Sequence, residues 1–347
     1  MFKFDKSNFV TYLKEFPYQI KEVQDIFLNF TPELNVDGVR NFVFAGMGGS
    51  AISSDLFISY AREELKYPAF VNRDYSIPSF VDEGTLFIAT SYSGNTEETL
   101  TAVRSAAQAG ARIIGISSGG ALKEFCSQKN YLHLKVPAGL PPRQALGYLF
   151  FPLLFLFQHF NFISKKEDEI HETYYLLKDL ISRYSPDLSV GDNLPNHIAQ
   201  TLFHAVPVIY TASPYLAALP VRWRNQFNEN SKMMAFSNIF PELNHNEIMG
   251  WEGPAEVNRV FRVIILRDVE ESPRNKQRLK ITKKILRGNN VSILEVFAEG
   301  KSRLARLFSL IATGDWASYY LAMLNEVEPI KIDSIDLLKN ELSKIPE

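Results

Sequence analysis

Residues 41–50, NFVFAGMGGS, decide the fold, because the apolar run Asn41–Ala45 breaks directly into a glycine-rich turn at residues 46–50. A helical pattern follows at residues 51–64. An apolar strand that passes through glycines into a helix is typical of the first βα unit in an open parallel sheet.

The rest of the first half continues this pattern. Apolar runs occur at residues 70–71, 85–90 and 112–117, residues 131–136 alternate, and residues 97–109 have helical spacing. Residues 1–36 and 143–184 also have helical periodicity, the latter interrupted by the charged stretch 165–169. Strands separated by helices predict βαβ units, in which helices cover both faces of a parallel sheet.

The second half has the same order of elements. Short apolar runs at residues 207–211, 233–236, 260–266 and 291–297 predict strands, and residues 221–230 predict a helix. A last helix is predicted at residues 335–344, with Leu338 and Leu342 facing inward. We therefore predict an α/β chain of two doubly wound domains with parallel sheets and a duplicated architecture. The predicted boundaries are residues 1–158, a helical bridge at 159–195, and residues 196–347.

Composition excludes several classes of protein. The 347 residues include 37 Lys and Arg and 39 Asp and Glu, a formal charge of −2 that argues against a nucleic-acid partner. Cys126 is the single cysteine, so a disulfide framework and a cysteine zinc cluster are excluded. The start of the sequence lacks a signal-peptide pattern, and the longest apolar run, residues 148–157, is about half the ~20 residues that span a bilayer. We expect a cytoplasmic globular protein without a membrane partner.

The turn at residues 46–51 has two interpretations. Glycines allow the backbone to approach a ligand, and the free N–H groups of the following helix favour an anion. The spacing of Gly46, Gly48 and Ala51 also fits the loose dinucleotide pattern G-x-G-x-x-A, for which Asp74 would be the acidic partner. Many βα turns, however, need glycines for geometry alone.

A second loop, SYSGNTEET at residues 91–99, also follows a strand and precedes a helix. Ser91, Ser93 and Thr96 place hydroxyl groups near the helix start, which suits the acceptor oxygens of a terminal phosphate. The alternative is an ordinary helix cap at Thr96, which needs one hydroxyl rather than three.

Together, GMGGS and SYSGNTEET resemble the sugar isomerase (SIS) domain. Four further stretches resemble the bifunctional phosphoglucose/phosphomannose isomerases: PRQA at 142–145, FNENSK at 227–232, PELNHN at 241–246 and IDLLK at 335–339. These motifs extend over residues 42–342 in the family's order. The resemblance implies a homodimer that interconverts glucose 6-phosphate and mannose 6-phosphate with fructose 6-phosphate, with no metal and no cofactor.

Aldose–ketose isomerisation through a cis-enediolate requires a base, and the resemblance assigns this role to Glu229. It implies that Arg143 stabilises the enediolate charge and that His245 assists ring opening in the partner subunit's site. Lys339 would be the second ring-opening group. Without the resemblance, Glu229 and Lys339 are ordinary exposed helix residues and Arg143 an ordinary helix-start arginine. The sequence departs from the family at one position, since Ile332 stands where some relatives have threonine. This difference bears on the conversion of mannose 6-phosphate.

Two other functions remain open at this point. A SIS-type sensor would bind a sugar phosphate without Glu229, His245, Lys339 and Arg143 together, and a nicotinamide-dependent dehydrogenase would use residues 46–51 and Asp74. The predicted substrate-binding residues are Gly48, Gly49, Ser50, Ser91, Ser93 and Thr96.

Overall fold

The computed structural model describes residues 2–184, 186 and 193–345. The strands of the first half are β1 Asn41–Ala45, β2 Ala69–Asn72, β3 Thr85–Thr90, β4 Arg112–Ser117 and β5 Leu132–Lys135. Its helices are α1 Val10–Leu28, α2 Gly48–Ala61, α3 Glu97–Gln108, α4 Gly120–Gln128, α5 Leu146–His159 and α6 Glu167–Arg183. The five strands form a parallel sheet in the order β2-β1-β3-β4-β5.

Both faces of this sheet are covered, which explains why its strands are continuously apolar. Successive strand residues point to opposite faces. Phe42 and Phe44 pack into a cluster with α2 and α5, whereas Val43 and Ala45 pack with α3 and α4.

The second half repeats the arrangement with four strands. They are β6 Val206–Thr211, β7 Phe236–Ile239, β8 Phe261–Arg267 and β9 Ser292–Phe297, all parallel in the order β7-β6-β8-β9. The helices are α7 Leu194–Leu202, α8 Leu219–Ser231, α9 Ala255–Asn258, α10 Pro273–Gly288, α11 Arg303–Leu324 and α12 Asp333–Leu342. The predicted α/β class with two parallel sheets is confirmed.

One hydrophobic core joins the two halves. The buried side chains of α5 and α11 belong to a single cluster that reaches both sheets. The Phe308 ring of α11 lies 5.0 Å from both Phe150 and Phe151 of α5, centroid to centroid. The helices between the sheets therefore hold the two halves in a fixed relation.

The predicted strand at residues 233–236 is misplaced by three residues, since β7 begins at Phe236. The reason is the end of α8, where Lys232 adopts a left-handed conformation with φ of 52°. The Met233 N–H then donates to the Phe227 carbonyl, so the chain is still leaving the helix at Met233. Ending the helix in this way delays the strand.

The prediction that Leu338 and Leu342 face inward is wrong. They are 60% and 48% exposed, and α12 has no buried residue. Its apolar face is therefore largely open to solvent.

The domain boundaries at 158 and 195 stay a prediction, and residues 185 and 187–192 of the proposed bridge lie outside the described residues. Among the described helices, none has the length and apolar character to cross a membrane.

Candidate active site

The two predicted phosphate loops lie side by side. They follow β1 and β3, which are parallel neighbours, at the carboxyl edge of the first sheet. A Cβ added to Gly46 would lie 2.9 Å from the Thr90 carbonyl oxygen, so the loops are in contact where they begin. Ligands of open α/β sheets bind at this edge.

The first loop opens the N-terminus of α2 without a side-chain cap. Met47 is the N-cap residue and makes no side-chain cap hydrogen bond. The Ser50 N–H donates to the Met47 carbonyl at 3.0 Å, so among the described residues the Gly48 and Gly49 N–H groups are the ones left for an anion. Gly49 packs against a further segment, because a Cβ there would lie 2.8 Å from the Pro142 carbonyl oxygen and 3.3 Å from the Arg143 nitrogen.

In the second loop the hydroxyl groups have distinct places. Ser91 is buried, and its Oγ accepts hydrogen bonds from the Gly94 and Thr96 N–H groups at 3.1 and 3.3 Å. Its hydroxyl also shares a 2.8 Å hydrogen bond with the Thr96 hydroxyl. Thr96 makes no side-chain cap hydrogen bond to α3, so the ordinary-cap alternative is not what the structure contains. Ser91 shapes the loop, while Ser93 is exposed and its Oγ accepts from the Asn95 N–H at 3.2 Å.

Arg143 is buried beside these loops, in the 3₁₀ turn Pro142–Gln144. Its Nε donates to Asn230 Oδ1 at 2.6 Å, and its Nη2 donates to the carbonyls of Pro329 and Ile330 at 2.9 and 3.2 Å. Nη1 lies 3.5 Å from Oε2 of Glu229. Burial lowers the pKa of Arg143 below its ordinary value, yet a guanidinium stays charged in proteins.

A buried ion pair fixes the backbone at Arg143. Arg222 Nη2 donates to the Arg143 carbonyl at 2.9 Å and to Asp315 Oδ2 at 2.7 Å. Gln226 Nε2 donates to the other carboxylate oxygen of Asp315 at 2.8 Å. Burial raises the pKa of Asp315, although Arg222 and Gln226 act in the opposite direction. These contacts join α8 and α11 to the turn that carries Arg143.

Glu229 lies in the last turn of α8 with its carboxylate partly open to solvent. It borders a cavity of about 620 Å³ together with Asn228, Lys232, Met233, Met234 and the start of α12, residues 331–335. Ile332 is among these lining residues. The predicted base therefore borders the cavity, and the predicted cation Arg143 lies 3.5 Å from that base without being among the described residues that line the cavity.

His245 and Lys339 are not brought to the cavity in this way. His245 ends the 3₁₀ segment Glu242–His245, and its exposed imidazole is outside the set of described residues that line the cavity. The flanking Asn244 donates to Thr282 Oγ1 at 2.9 Å, and Asn246 donates to the Glu242 carboxylate at 2.7 Å. These bonds hold the loop to its own chain and leave His245 facing solvent.

Lys339 is exposed on α12. Residues four apart share a helix face, so Lys339 lies one turn beyond Ile335, which borders the cavity.

Sequence reasoning missed Asn230 and Asp315 and assigned no role to Arg222 and Lys232. A signal was present for Asp315, because it is the lone acidic residue within the largely apolar α11. A carboxylate buried in the middle of an apolar helix requires a buried partner.

Comparison with known proteins identifies the family and the fold. A model described as the SIS domain matches residues 38–138, and one described as the bacterial phospho-glucose isomerase C-terminal SIS domain matches residues 191–342. A bifunctional phosphoglucose/phosphomannose isomerase of Caldicellulosiruptor bescii is 42% identical over 95% of this chain and 98% of its own. One of Thermoplasma acidophilum is 37% identical over 95% of this chain and 98% of its own. A hypothetical protein of Thermus thermophilus has the same fold, with a TM-score of 0.76 at 16% identity over 98% of this chain and 91% of its own.

The duplicated parallel sheets and the two loops at their edge define a two-domain SIS protein. Identity of this extent over nearly the whole chain is more specific than the fold. The chain belongs to the bifunctional phosphoglucose/phosphomannose isomerase family.

Proposed function

We propose that this protein interconverts fructose 6-phosphate with glucose 6-phosphate and mannose 6-phosphate. The observation that carries the proposal is the placement of Arg143 Nη1 3.5 Å from the Glu229 carboxylate at the edge of a cavity. The relatives are bifunctional phosphoglucose/phosphomannose isomerases, which supports the same pair of reactions.

In the proposed reaction Glu229 removes the proton from C2 of the open-chain aldose phosphate. The C–H electrons form the C1–C2 double bond of a cis-enediolate, and the carbonyl oxygen at C1 takes up negative charge. The hydroxyl proton on O2 then moves to O1, and return of the first proton from Glu229 to C1, with the carbonyl re-formed at C2, completes the ketose, so the step balances within the substrate. Arg143 is a preorganised cation beside the developing charge, which lowers the barrier.

Ring opening moves a proton between O5 and O1 before isomerisation. A histidine is suited to this step near neutral pH, and His245 is the proposed group. Lys339, on the helix face that continues from the cavity, is the proposed second group.

A homodimer in which each chain gives His245 to its partner's site accounts for the exposure of that loop. The second sheet carries a groove of about 600 Å³ that shares Asn228 and Met234 with the Glu229 cavity. Exposed apolar side chains lie beside it: Met234, Phe236, Met249 and Val257, between 51% and 67% exposed. An apolar patch of this kind next to an incomplete site supports a subunit interface.

The substrate phosphate is proposed to bind between the two loops. Replacing Ser93 or Thr96 with alanine should each weaken the affinity for fructose 6-phosphate by about 10-fold, since a hydrogen bond to a charged group contributes ~1.5–3 kcal/mol. Isothermal titration with the inert analogue sorbitol 6-phosphate measures this. Ser182→Ala, an exposed serine on α6, is the matched control. Normal affinity in both single variants and in the double variant would remove this loop from the site.

Shared sites predict complementation between inactive subunits. Glu229→Gln mixed with His245→Ala should give about a quarter of wild-type activity at equal amounts, because half of the dimers are mixed and each holds one intact site. The control mixes Glu229→Gln with the double variant Glu229→Gln/His245→Ala, because no dimer of these two proteins contains an intact site. No recovery after demonstrated subunit exchange would show that His245 does not act across an interface.

A coupled assay with fructose 6-phosphate, in which glucose 6-phosphate and mannose 6-phosphate are measured separately, tests the proposed function. It also reports the product ratio at a site bordered by Ile332. Binding of fructose 6-phosphate without formation of either aldose would favour the sensor alternative.

A further inference from the structure

The segment Glu328–Pro329–Ile330, which leads into α12, is held through its backbone by two cations. Lys232 Nζ donates to the carbonyls of Glu328 and Pro329 at 3.0 and 3.1 Å. Arg143 Nη2 donates to the carbonyls of Pro329 and Ile330 at 2.9 and 3.2 Å. We refer to residues 328–330 as the anchor segment.

The N-terminal residues bind the same segment from another side. The Lys6 N–H and the Ser7 hydroxyl donate to the Glu328 carboxylate at 2.7 and 2.8 Å. Three separate parts of the chain therefore converge on the anchor segment, and the helix that follows has no buried residue of its own. The position of α12 consequently depends on how firmly the anchor segment is held.

Lys232 connects the anchor segment to the proposed base. Its Nζ also donates to the Glu229 carbonyl at 2.7 Å, so one ammonium group binds both the last turn of α8 and the chain before α12. Lys232 adopts the left-handed conformation at the C-terminal end of α8, an uncommon conformation for a residue with a side chain. In this left-handed conformation the Lys232 ammonium group makes its hydrogen bonds to the Glu229 and Glu328 carbonyls.

We propose that Lys232 is a positioning residue that fixes the start of α12, and with it Lys339, relative to Glu229. The proposal rests on the proposed function, in which Glu229 and Lys339 act on one substrate. Lys232 acts through the carbonyls of the anchor segment and of Glu229, and it lines the cavity together with Glu229 and Ile332.

The ammonium form is the one that binds the carbonyls. Burial, with help from Arg143, lowers the pKa of Lys232 to about 8, while Glu328, Asp333 and Glu229 act in the opposite direction. At pH 7 the group is therefore still mainly charged and has three protons to donate.

Lys232→Met removes the ammonium and keeps an apolar stem of similar length, whereas Lys232→Arg keeps a cation. Amide hydrogen exchange followed by mass spectrometry reports how firmly residues 328–342 are held, and steady-state kinetics with fructose 6-phosphate separates kcat from KM. Lys276→Met is the matched control. Lys276 is an exposed lysine on α10 whose ammonium group donates to the Val269 carbonyl at 3.2 Å.

Lys232→Met should speed exchange in residues 328–342 about 10-fold or more and lower kcat by a similar factor, as expected for the loss of charged hydrogen bonds. KM should change less, because the phosphate loops are untouched. Lys232→Arg should restore both protection and kcat, and Lys276→Met should leave both unchanged.

Unchanged exchange at residues 328–342, or unchanged kcat, in Lys232→Met would overturn the proposal. If that variant does not fold, Lys232→Gln decides, because it loses the charge and most of the bonds to the carbonyls of Glu229, Glu328 and Pro329. Normal exchange at residues 328–342 and normal turnover in a folded Lys232→Gln protein would then overturn it. Wild-type protein that isomerises no hexose phosphate would instead contradict the proposed function, and the exchange data would still show whether Lys232 holds α12.

Discussion

Glu229→Gln is expected to reduce turnover of fructose 6-phosphate by about 10²- to 10⁴-fold, the usual cost of losing a general base. Glutamine keeps the size of the side chain and can still lie near Arg143 Nη1, but it cannot accept the C2 proton. Affinity for the substrate should change little, because the phosphate loops belong to the first sheet and α8 to the second half. Such a loss confined to the transition state appears in kcat rather than in KM.

Glu256→Gln is the matched control, since Glu256 is an exposed glutamate on α9 outside the described lining of the Glu229 cavity. It should retain wild-type turnover. Near-normal kcat in Glu229→Gln would show that another group moves the proton.

Arg143→Gln is expected to lower kcat by about 10²- to 10³-fold, similar to the loss of one preorganised donor at a developing oxyanion. It should also destabilise the protein. Asn230 Oδ1 and the Ile330 carbonyl would lose the donor that Arg143 provides, and the Pro329 carbonyl would keep only the hydrogen bond from Lys232. An unsatisfied buried polar group costs about 1–3 kcal/mol, which denaturant unfolding measures.

Arg143→Lys separates charge from geometry. It keeps a cation but cannot reach Asn230 and two carbonyls with one planar fork, so we expect an intermediate kcat. Arg40→Gln is the control, because Arg40 is an exposed side chain that pairs with Asp82 away from the Glu229 cavity and should be replaceable with little effect. Full activity in both Arg143 variants would remove this residue from the proposed site.

The first sheet was predictable because its strands are short, continuously apolar and followed by turn residues. A continuously apolar sequence also made the helix α11 hard to predict. Arg303–Leu324 is buried over most of its length on all sides, so its sequence has no polar face to give a helical period. The start of β7 was predicted too early for another reason. Nothing in the sequence around Lys232 indicates that this residue adopts a left-handed conformation.

Candidate site residues could be predicted from the sequence only where they belong to a recognisable motif. The hydroxyl-rich loop and the family match gave Ser91, Arg143 and Glu229, and the structure places the last two 3.5 Å apart. The bonds that hold them, from Asn230 and Arg222, join residues about 80 to 90 positions apart. Such long-range pairs depend on how helices pack, which local periodicity does not encode.

Proton transfer at C2 is measured most directly by following fructose 6-phosphate with the wild-type protein in deuterated water by NMR. Return of the proton from an exchangeable carboxylic acid at Glu229 predicts that the glucose 6-phosphate and mannose 6-phosphate formed carry deuterium at C2. It also predicts that Glu229→Gln, which still binds substrate, incorporates none on the same timescale. Wild-type protein that binds fructose 6-phosphate but forms neither aldose and exchanges no carbon-bound hydrogen would contradict the isomerase function.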